Sequence, residues 1–193
     1  ERSGGPQNMD KTTYLAIVSQ LQRGSSMLPG EQENFLARTL HPTHYGRFCP
    51  TESPEGTEIG LRKNLAILAK ISTAITFDEA GVLKRFSEFG LSRENGKKDV
   101  FFNGRFIGFV ESGSDFVSKV RNARRAGEFP KELSVREDKI LDQITMSTEV
   151  GRVLRPLIVV ENGASKLRDE HIVLLEENKI KWSDLVTEGV IEY

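Results

Sequence analysis

Two imidazoles, a thiol and two carboxylates fall close together in one stretch of this chain: His41, His44, Cys49, Glu52 and Glu55. Imidazole and thiolate are the usual zinc ligands, and a pair of carboxylates can work as general acid and base. Neither chemistry is completed here. Tetrahedral zinc sites are normally built from two paired ligand clusters, and with only His171 left over the fourth ligand is missing. No nucleophile and base accompany Glu52 and Glu55, so the expected role for these carboxylates is to order a helix start, where unpaired amides and the positive end of the dipole favour negative charge. His41 and His44 are expected to hydrogen-bond backbone carbonyls in a segment that Pro50 and Pro54 bend away from regular pairing. A carboxylate cluster able to hold two magnesium ions is also lacking. The nearest candidates are Asp138 and Asp142 on a predicted strand, and Asp184 and Glu188 on a predicted surface helix.

Cations offer a different chemistry. Arg23, Arg38, Arg47, Arg62 and Lys63 flank the same stretch, interspersed with Glu31, Glu33, Glu52, Glu55 and Glu58. Guanidinium groups present several fixed donors to phosphate oxygens, so these five residues are the candidate nucleic-acid contacts. A second cluster, Lys119, Arg121, Arg124 and Arg125, reads as the wet face of a helix. With 27 Lys and Arg against 28 Asp and Glu, the net charge of −1 gives no global attraction to nucleic acid, and any contact must be local. The single Cys49 excludes an internal disulfide framework and fits a reducing compartment. No stretch approaches the roughly 20 apolar residues of a membrane span, and no signal-peptide pattern opens the chain, so the expectation is a soluble, intracellular protein without membrane partners. The chain begins without methionine and ends inside a strand-like run, Glu188-Gly-Val-Ile-Glu-Tyr193, which suggests a part of something longer.

The elements that must position these groups follow from periodicity and turn chemistry. At 193 residues and 37% hydrophobic content, one large domain or two small ones can form. Tyr14, Ile17, Val18 and Leu21 make one helical stripe within residues 9–23. Residues 24–34 are rich in turn formers and read as an exposed loop with a mobile tip. Gly46, Gly56 and Gly60 mark positions where a side chain is not expected to fit. Residues 59–71, apolar on nearly every face, read as a buried helix, and a break near 72–78 divides the chain into 1–73 and 74–193. Beyond it, residues 82–89 read as a short amphipathic segment. Asn103-Gly104 between aromatic and β-branched arms predicts a hairpin with a type I′ turn, its Phe101, Phe102, Phe106 and Phe109 assigned to core packing. A helix is predicted over 112–126, strands over 139–146 and 153–160, helices over 166–178 and 182–188, and a final strand. The fold class is α+β.

The run His41-Pro-Thr-His-Tyr-Gly-Arg-Phe-Cys-Pro-Thr-Glu-Ser-Pro-Glu-Gly-Thr-Glu-Ile-Gly-Leu61 resembles the fork region of the second-largest subunit of multisubunit DNA-directed RNA polymerases, and the likeness continues into Lys63-Asn-Leu-Ala-Ile-Leu68. Residues 100–108, the motif Gly151-Arg-Val-Leu-Arg-Pro-Leu157 and residues 182–193 resemble the external domains of the archaeal and eukaryotic type. The resemblance implies that 1–73 is a fork region within a larger domain and 74–193 the external domains. It implies other polymerase subunits as partners, the largest above all, together with template DNA and product RNA, in the cytoplasm or in a nucleus. It implies magnesium in the assembled enzyme, bound by another subunit, so no cofactor and no catalytic residue belong to this stretch. The loop 24–34 would then stand near the point where template and non-template strands separate. His41, His44, Gly46, Glu52, Pro54, Glu55, Gly56 and Gly60 would be structural. The sequence departs from the family where Gln20 replaces His, Gln22 replaces Arg, Ser53 replaces Thr, and Thr57-Glu58 replaces Pro-Asn. A free-standing nucleic-acid-binding or protein-interaction module is the competing reading, and exposed aromatic platforms would favour it.

Overall fold

A computed structural model describes residues 6–193; Glu1 to Gly5, which open the chain, lie outside the described residues. The chain forms two compact units. One runs up to Lys70 and takes back residues 153–156, a return that a linear division at 73/74 does not include; the other comprises Ile71–Arg152 and Leu157–Tyr193.

The first unit is held by short elements. Helix α1 (Tyr14–Leu21) starts where the Thr13 side chain accepts from the Ala16 amide at 3.1 Å. Strand β1 (Arg23–Ser25), the one-turn helix α2 (Phe35–Arg38), and strands β2 (Arg62–Asn64) and β3 (Lys70–Ile71) follow. The buried helix expected over 59–71 does not form. Its residues follow a 3₁₀ turn (Gly56–Glu58) and make β2, an extended stretch and β3, because β2 finds partners on both sides: β1 on one, and on the other the Phe48–Leu65 bridge with the Cys49 amide donating to the Asn64 carbonyl at 2.8 Å. An all-apolar run does not fix a period, so pairing decided the outcome. Leu61 is the one large apolar side chain buried in this unit among the described residues; Tyr14, Leu15, Leu21, Phe35 and Leu36 are more than 70% exposed.

The second unit has a true core. Helix α3 (Glu79–Glu88) and helix α4 (Gly113–Arg125) accompany a four-stranded sheet of β4 (Lys98–Phe102), β5 (Arg105–Val110), β6 (Ser134–Asp138) and β7 (Gln143–Ser147) in the order β5-β4-β7-β6. The central pair β4–β7 is parallel and the outer pairs are antiparallel. The predicted hairpin is present: Asn103 and Gly104 both have positive φ, 48° and 75°. Asn103 also ties the turn to the end of β7, accepting from the Thr148 amide at 2.8 Å. Alternation along β4 sends Phe102 into the core, while Phe101 packs edge-on against Phe106, and Phe106 against Phe109, away from it. The core assignment therefore holds for Phe102 and fails for Phe101, Phe106 and Phe109, of which Phe106 is half exposed. Phe86 sits at the centre, fully buried against the rings of Phe102, Phe116 and Phe129.

The predicted strand over 139–146 shortens to β7, and that over 153–160 breaks at Pro156 into β8 (Val153–Leu154), β9 (Leu157–Ile158) and β10 (Val160–Glu161). Strand β11 (Ala164–Ser165), helices α5 (Asp169–Glu176) and α6 (Trp182–Thr187) and strand β12 (Ile191–Glu192) complete the chain. Leu185, Val190 and Ile191 form a small second core there. The basic face of α4 is not merely wet. Arg124 and Arg125 converge on Glu192 at 2.8 and 2.9 Å, joining α4 to β12, while Arg121 and Lys119, the latter paired with Asp115 on the same helix, keep the solvated role.

Two expected outcomes follow. Amide hydrogen exchange on this chain should be fast through residues 6–70 and slow across β4, β7 and α4, since protection tracks buried apolar contact; equal protection in both units would contradict this. Glu192 provides a pH test. Burial would raise its pKa, but the Arg125 hydrogen bond and the charges of Arg124 and Arg125 outweigh burial and hold it below the usual carboxylate range. The resulting stabilisation is complete above the unfolded-state pKa of about 4.3 and disappears as pH falls through the lower folded-state value. Glu192→Gln should therefore cost about 1–3 kcal/mol at pH 7 by urea denaturation, with the gap to the parent chain narrowing below about pH 4.

Candidate nucleic-acid interface

The site is a ladder with clamps on either side. Antiparallel pairing sets Arg23 opposite Asn64, Gly24 opposite Lys63 and Ser25 opposite Arg62. Directly paired residues share a face, so Arg23 and Arg62 lie on one side of the ladder and Lys63 on the other. The five cations thus do not make one patch.

Two of them are structural clamps. Arg38 donates from Nη1 to the Thr57 and Ile59 carbonyls at 2.7 and 2.9 Å, and from Nη2 to those of Gly30 and Gln32 at 2.7 and 3.1 Å. Its fork is consumed by backbone, which corrects its assignment as a phosphate contact. The same bonds anchor the loop expected to be mobile. That loop is also shorter than expected, because Gly24 and Ser25 belong to β1. Arg47 donates from Nε to the Val153 carbonyl at 2.9 Å and from Nη1 to that of Thr43 at 3.1 Å, fastening the returning segment. Arg62 is paired with Glu58 at 2.6 Å. Arg23 and Lys63 alone of the five make no hydrogen bond or ion pair among the described residues; Arg23 is exposed and Lys63 half-buried.

The bend from His41 to Gly60 frames the ladder. His41 caps the 3₁₀ turn Pro42–His44: its Nδ1 lies 2.8 Å from Thr43 Oγ1, and its own amide donates to His44 Nδ1 at 3.3 Å. The imidazoles thus accept from amides instead of donating to carbonyls, because an N-terminal turn leaves N–H groups and not C=O groups unpaired. Partial burial, then the Lys63 and His41 charges, lowers the His44 pKa and favours the neutral ring that this bond needs. Cys49 makes a 3.4 Å contact with the Thr51 hydroxyl, and this hydrogen bond lowers its thiol pKa.

Neither carboxylate orders a helix start. Glu52 accepts from the Ser19 hydroxyl at 2.6 Å, fixing α1 to the bend, and Glu55 precedes the 3₁₀ turn without a side-chain cap. Pro54 stands half-buried between them, and the neighbouring Ser53 hydroxyl accepts from the Gly60 amide at 2.8 Å. Gly60 is required: it has φ 72°, and a Cβ there would lie 2.2 Å from the Arg38 carbonyl oxygen. Gly46, at φ 77°, lies against the Arg155 side chain, whereas Gly56, at φ 84°, faces open space and serves conformation alone.

Other contributors escaped sequence reasoning. Gln20 accepts from the Asp10 amide at 2.7 Å and donates to the Asn8 carbonyl at 2.9 Å, holding the lead-in segment on α1. A bidentate amide has no spacing signature to give this away. The Asp10 carboxyl is held below its ordinary pKa by hydrogen bonds from the Thr12 side chain and backbone, with a smaller push from Arg23. Asn64 is 3% exposed and its Oδ1 is unpaired. No group of three His, Cys, Asp or Glu among the described residues is placed to hold a metal, and no helix among them is long and apolar enough to cross a membrane.

Comparison with known proteins accounts for this architecture. The family described as RNA polymerase Rpb2, domain 3, matches residues 7–71, and RNA polymerase Rpb2, domain 4, matches residues 100–161. The chain is 39% identical to DNA-directed RNA polymerase subunit Rpo2 of Saccharolobus solfataricus, covering all of this chain and 19% of that protein. It is 32% identical to DNA-directed RNA polymerase II subunit RPB2 of Encephalitozoon cuniculi, over 100% of this chain and 17% of the relative. The chain thus spans about a fifth of the length of the curated relatives it matches. The ladder lies in the part matched by domain 3, the hairpin and α4 in the part matched by domain 4, and the chain belongs to the family of second-largest subunits of DNA-directed RNA polymerases, in its archaeal and eukaryotic form.

Proposed function

We propose that this chain forms part of an RNA polymerase engaged in DNA-directed nucleotidyl transfer, in which its first unit positions nucleic acid at the downstream fork of the active centre. The observation that carries the reading is the division of labour among the cations. Arg38 and Arg47 bond backbone carbonyls around the ladder, and Arg23 and Lys63 project from its two faces without a side-chain partner among the described residues. Such a frame presents charge to phosphate without having to order it on binding. The exposed Tyr14, Leu15, Phe35 and Leu36 suit enclosure by other polymerase polypeptide, the largest subunit being the foremost partner. Template DNA and product RNA are the nucleic-acid partners, and the site of action is the cytoplasm, or the nucleus of a eukaryote.

Magnesium supplies charge neutralisation at the transferred phosphate in such enzymes. The carboxylates here do not fit it. Glu52 is bonded to Ser19, Glu58 to Arg62, and Asp138 to the amides of Ile140 and Leu141. We propose that the metal is held by another subunit and that this chain contributes positioning.

In an assembled polymerase carrying this chain's sequence, Arg23→Ala with Lys63→Ala should reduce the salt slope of downstream DNA retention by about 0.9 per lost phosphate contact. Arg121→Ala should leave the slope alone. Arg38→Ala should also leave it alone while raising hydrogen exchange in residues 26–34, where it releases the Gly30 and Gln32 carbonyls. An unchanged slope in the Arg23 and Lys63 variant, or equal losses in all three, would overturn the reading.

A further inference from the structure

A groove of about 630 Å³ opens in the second unit between α3, the segment after it and β5, an edge strand of the sheet. Its apolar lining includes Leu83, Leu91, Phe106 and Ile107, and its charged lining is Lys84 and Arg93. No carboxylate lines it, although acids slightly outnumber bases in the chain. Lys84 and Arg93 are both exposed, and neither has an ion-pair or hydrogen-bond partner among the described residues. Of the neighbouring acids, Glu88 and Glu128 are both bound to Arg85, while Glu79 and Glu94 stand exposed next to Ala80 and Arg93 without lining the groove. Two cations without side-chain partners therefore flank apolar walls that carry no carboxylate of their own.

The walls are built and not incidental. Register along β5 shifts between Val100/Phe101 of β4, so that Gly108 pairs with Val100, Phe106 pairs with Phe101, and Ile107 is the extra residue of a bulge. Bulges kink an edge strand and re-aim its side chains. Gly108 lets the following segment close on the strand: a Cβ there would lie 2.4 Å from the Ser92 carbonyl oxygen, and Ser92 pairs with Phe109. That bridge ends the exposed edge and places Leu91 and Arg93 beside the groove. Phe106, half exposed, is held edge-on by Phe101 and Phe109 at 5.7 and 5.0 Å.

We propose that this groove docks a short segment of a partner protein in which one or two large apolar side chains are flanked by carboxylates. The apolar side chains fill the space between Leu83, Leu91 and Ile107, and the carboxylates meet Lys84 and Arg93. A groove of this size falls within the usual range of roughly 300–1,000 Å³ for binding pockets and accepts such side chains readily. Nucleic acid is the poorer match, because aliphatic walls give bases no face on which to stack and Phe106 is a single ring. Charge complementarity sets which peptide binds, and apolar filling supplies most of the affinity.

Fluorescence polarisation on this chain tests the assignment, using a fluorescein-labelled peptide with a leucine–phenylalanine pair set between glutamates. Saturable binding that weakens with added salt is expected, as is at least an approximately tenfold weakening in Lys84→Glu with Arg93→Glu. Both side chains are exposed, so that variant should melt like the parent by circular dichroism. Leu83→Ser should weaken binding without changing its salt dependence. A peptide with lysines in place of glutamates should not bind. Absence of binding, binding indifferent to charge reversal, or tighter capture of a single-stranded oligonucleotide lost in the same variant would each overturn the proposal.

Discussion

One guanidinium sets the shape of the first unit. Arg38 bonds four carbonyl oxygens from two separate segments, so residues 30–32 and 57–59 are fixed against α2 without an apolar core beneath them. Hydrogen bonds from a charged donor are worth about 1.5–3 kcal/mol each where water is excluded, and less where it competes, as at three of these four. Everything near it conforms: Gly60 has no Cβ because the Arg38 backbone occupies that space, and Ser53 receives the Gly60 amide. Arg47 repeats the device at smaller scale, holding residue 153 against the bend. This unit is thus organised by polar bonds, and its apolar side chains remain outside.

The second unit inverts that arrangement. Phe86 and three neighbouring rings are packed between α3, α4 and the sheet, and each contact is non-directional. Polar groups refine the result: Asn103 locks the hairpin to β7, and Arg124 with Arg125 joins α4 to β12 through Glu192. Burial fixes the layers, and directional bonds fix how the ends meet.

This contrast explains what was legible in the sequence. The Asn103-Gly104 turn and α4, with Phe116, Val120 and Ala123 buried on one face, were readable because periodicity and turn chemistry act locally. The α+β class and the family resemblance were readable for similar reasons. The extended path of residues 59–71 was not, since an apolar run takes whichever pairing its neighbours offer. Arg38 was misread because a lone arginine in sequence shows charge but not which acceptors the fold brings to it. The imidazole roles erred in direction only: His41 and His44 are structural, but as acceptors.

Charge in this protein is therefore informative chiefly by subtraction. Most cations near the ladder and on α4 are consumed within the fold: Arg38 and Arg47 by carbonyls, Arg62 by Glu58, Arg124 and Arg125 by Glu192. Placing a cation on a surface costs little in water, so an unpaired one is ordinarily unremarkable. It gains meaning where the fold sets it on a paired backbone or beside walls that carry no carboxylate, as for Arg23 and Lys63 on the ladder and for Lys84 and Arg93 beside the groove. The first pair projects from a strand ladder of short polar elements and matches an extended polyanion, which needs positive charge and little apolar area. The second flanks aliphatic walls, and an occupant there must supply carboxylates and apolar bulk together. The same residue types thus present two different chemistries, and the difference lies in what the fold has placed between them.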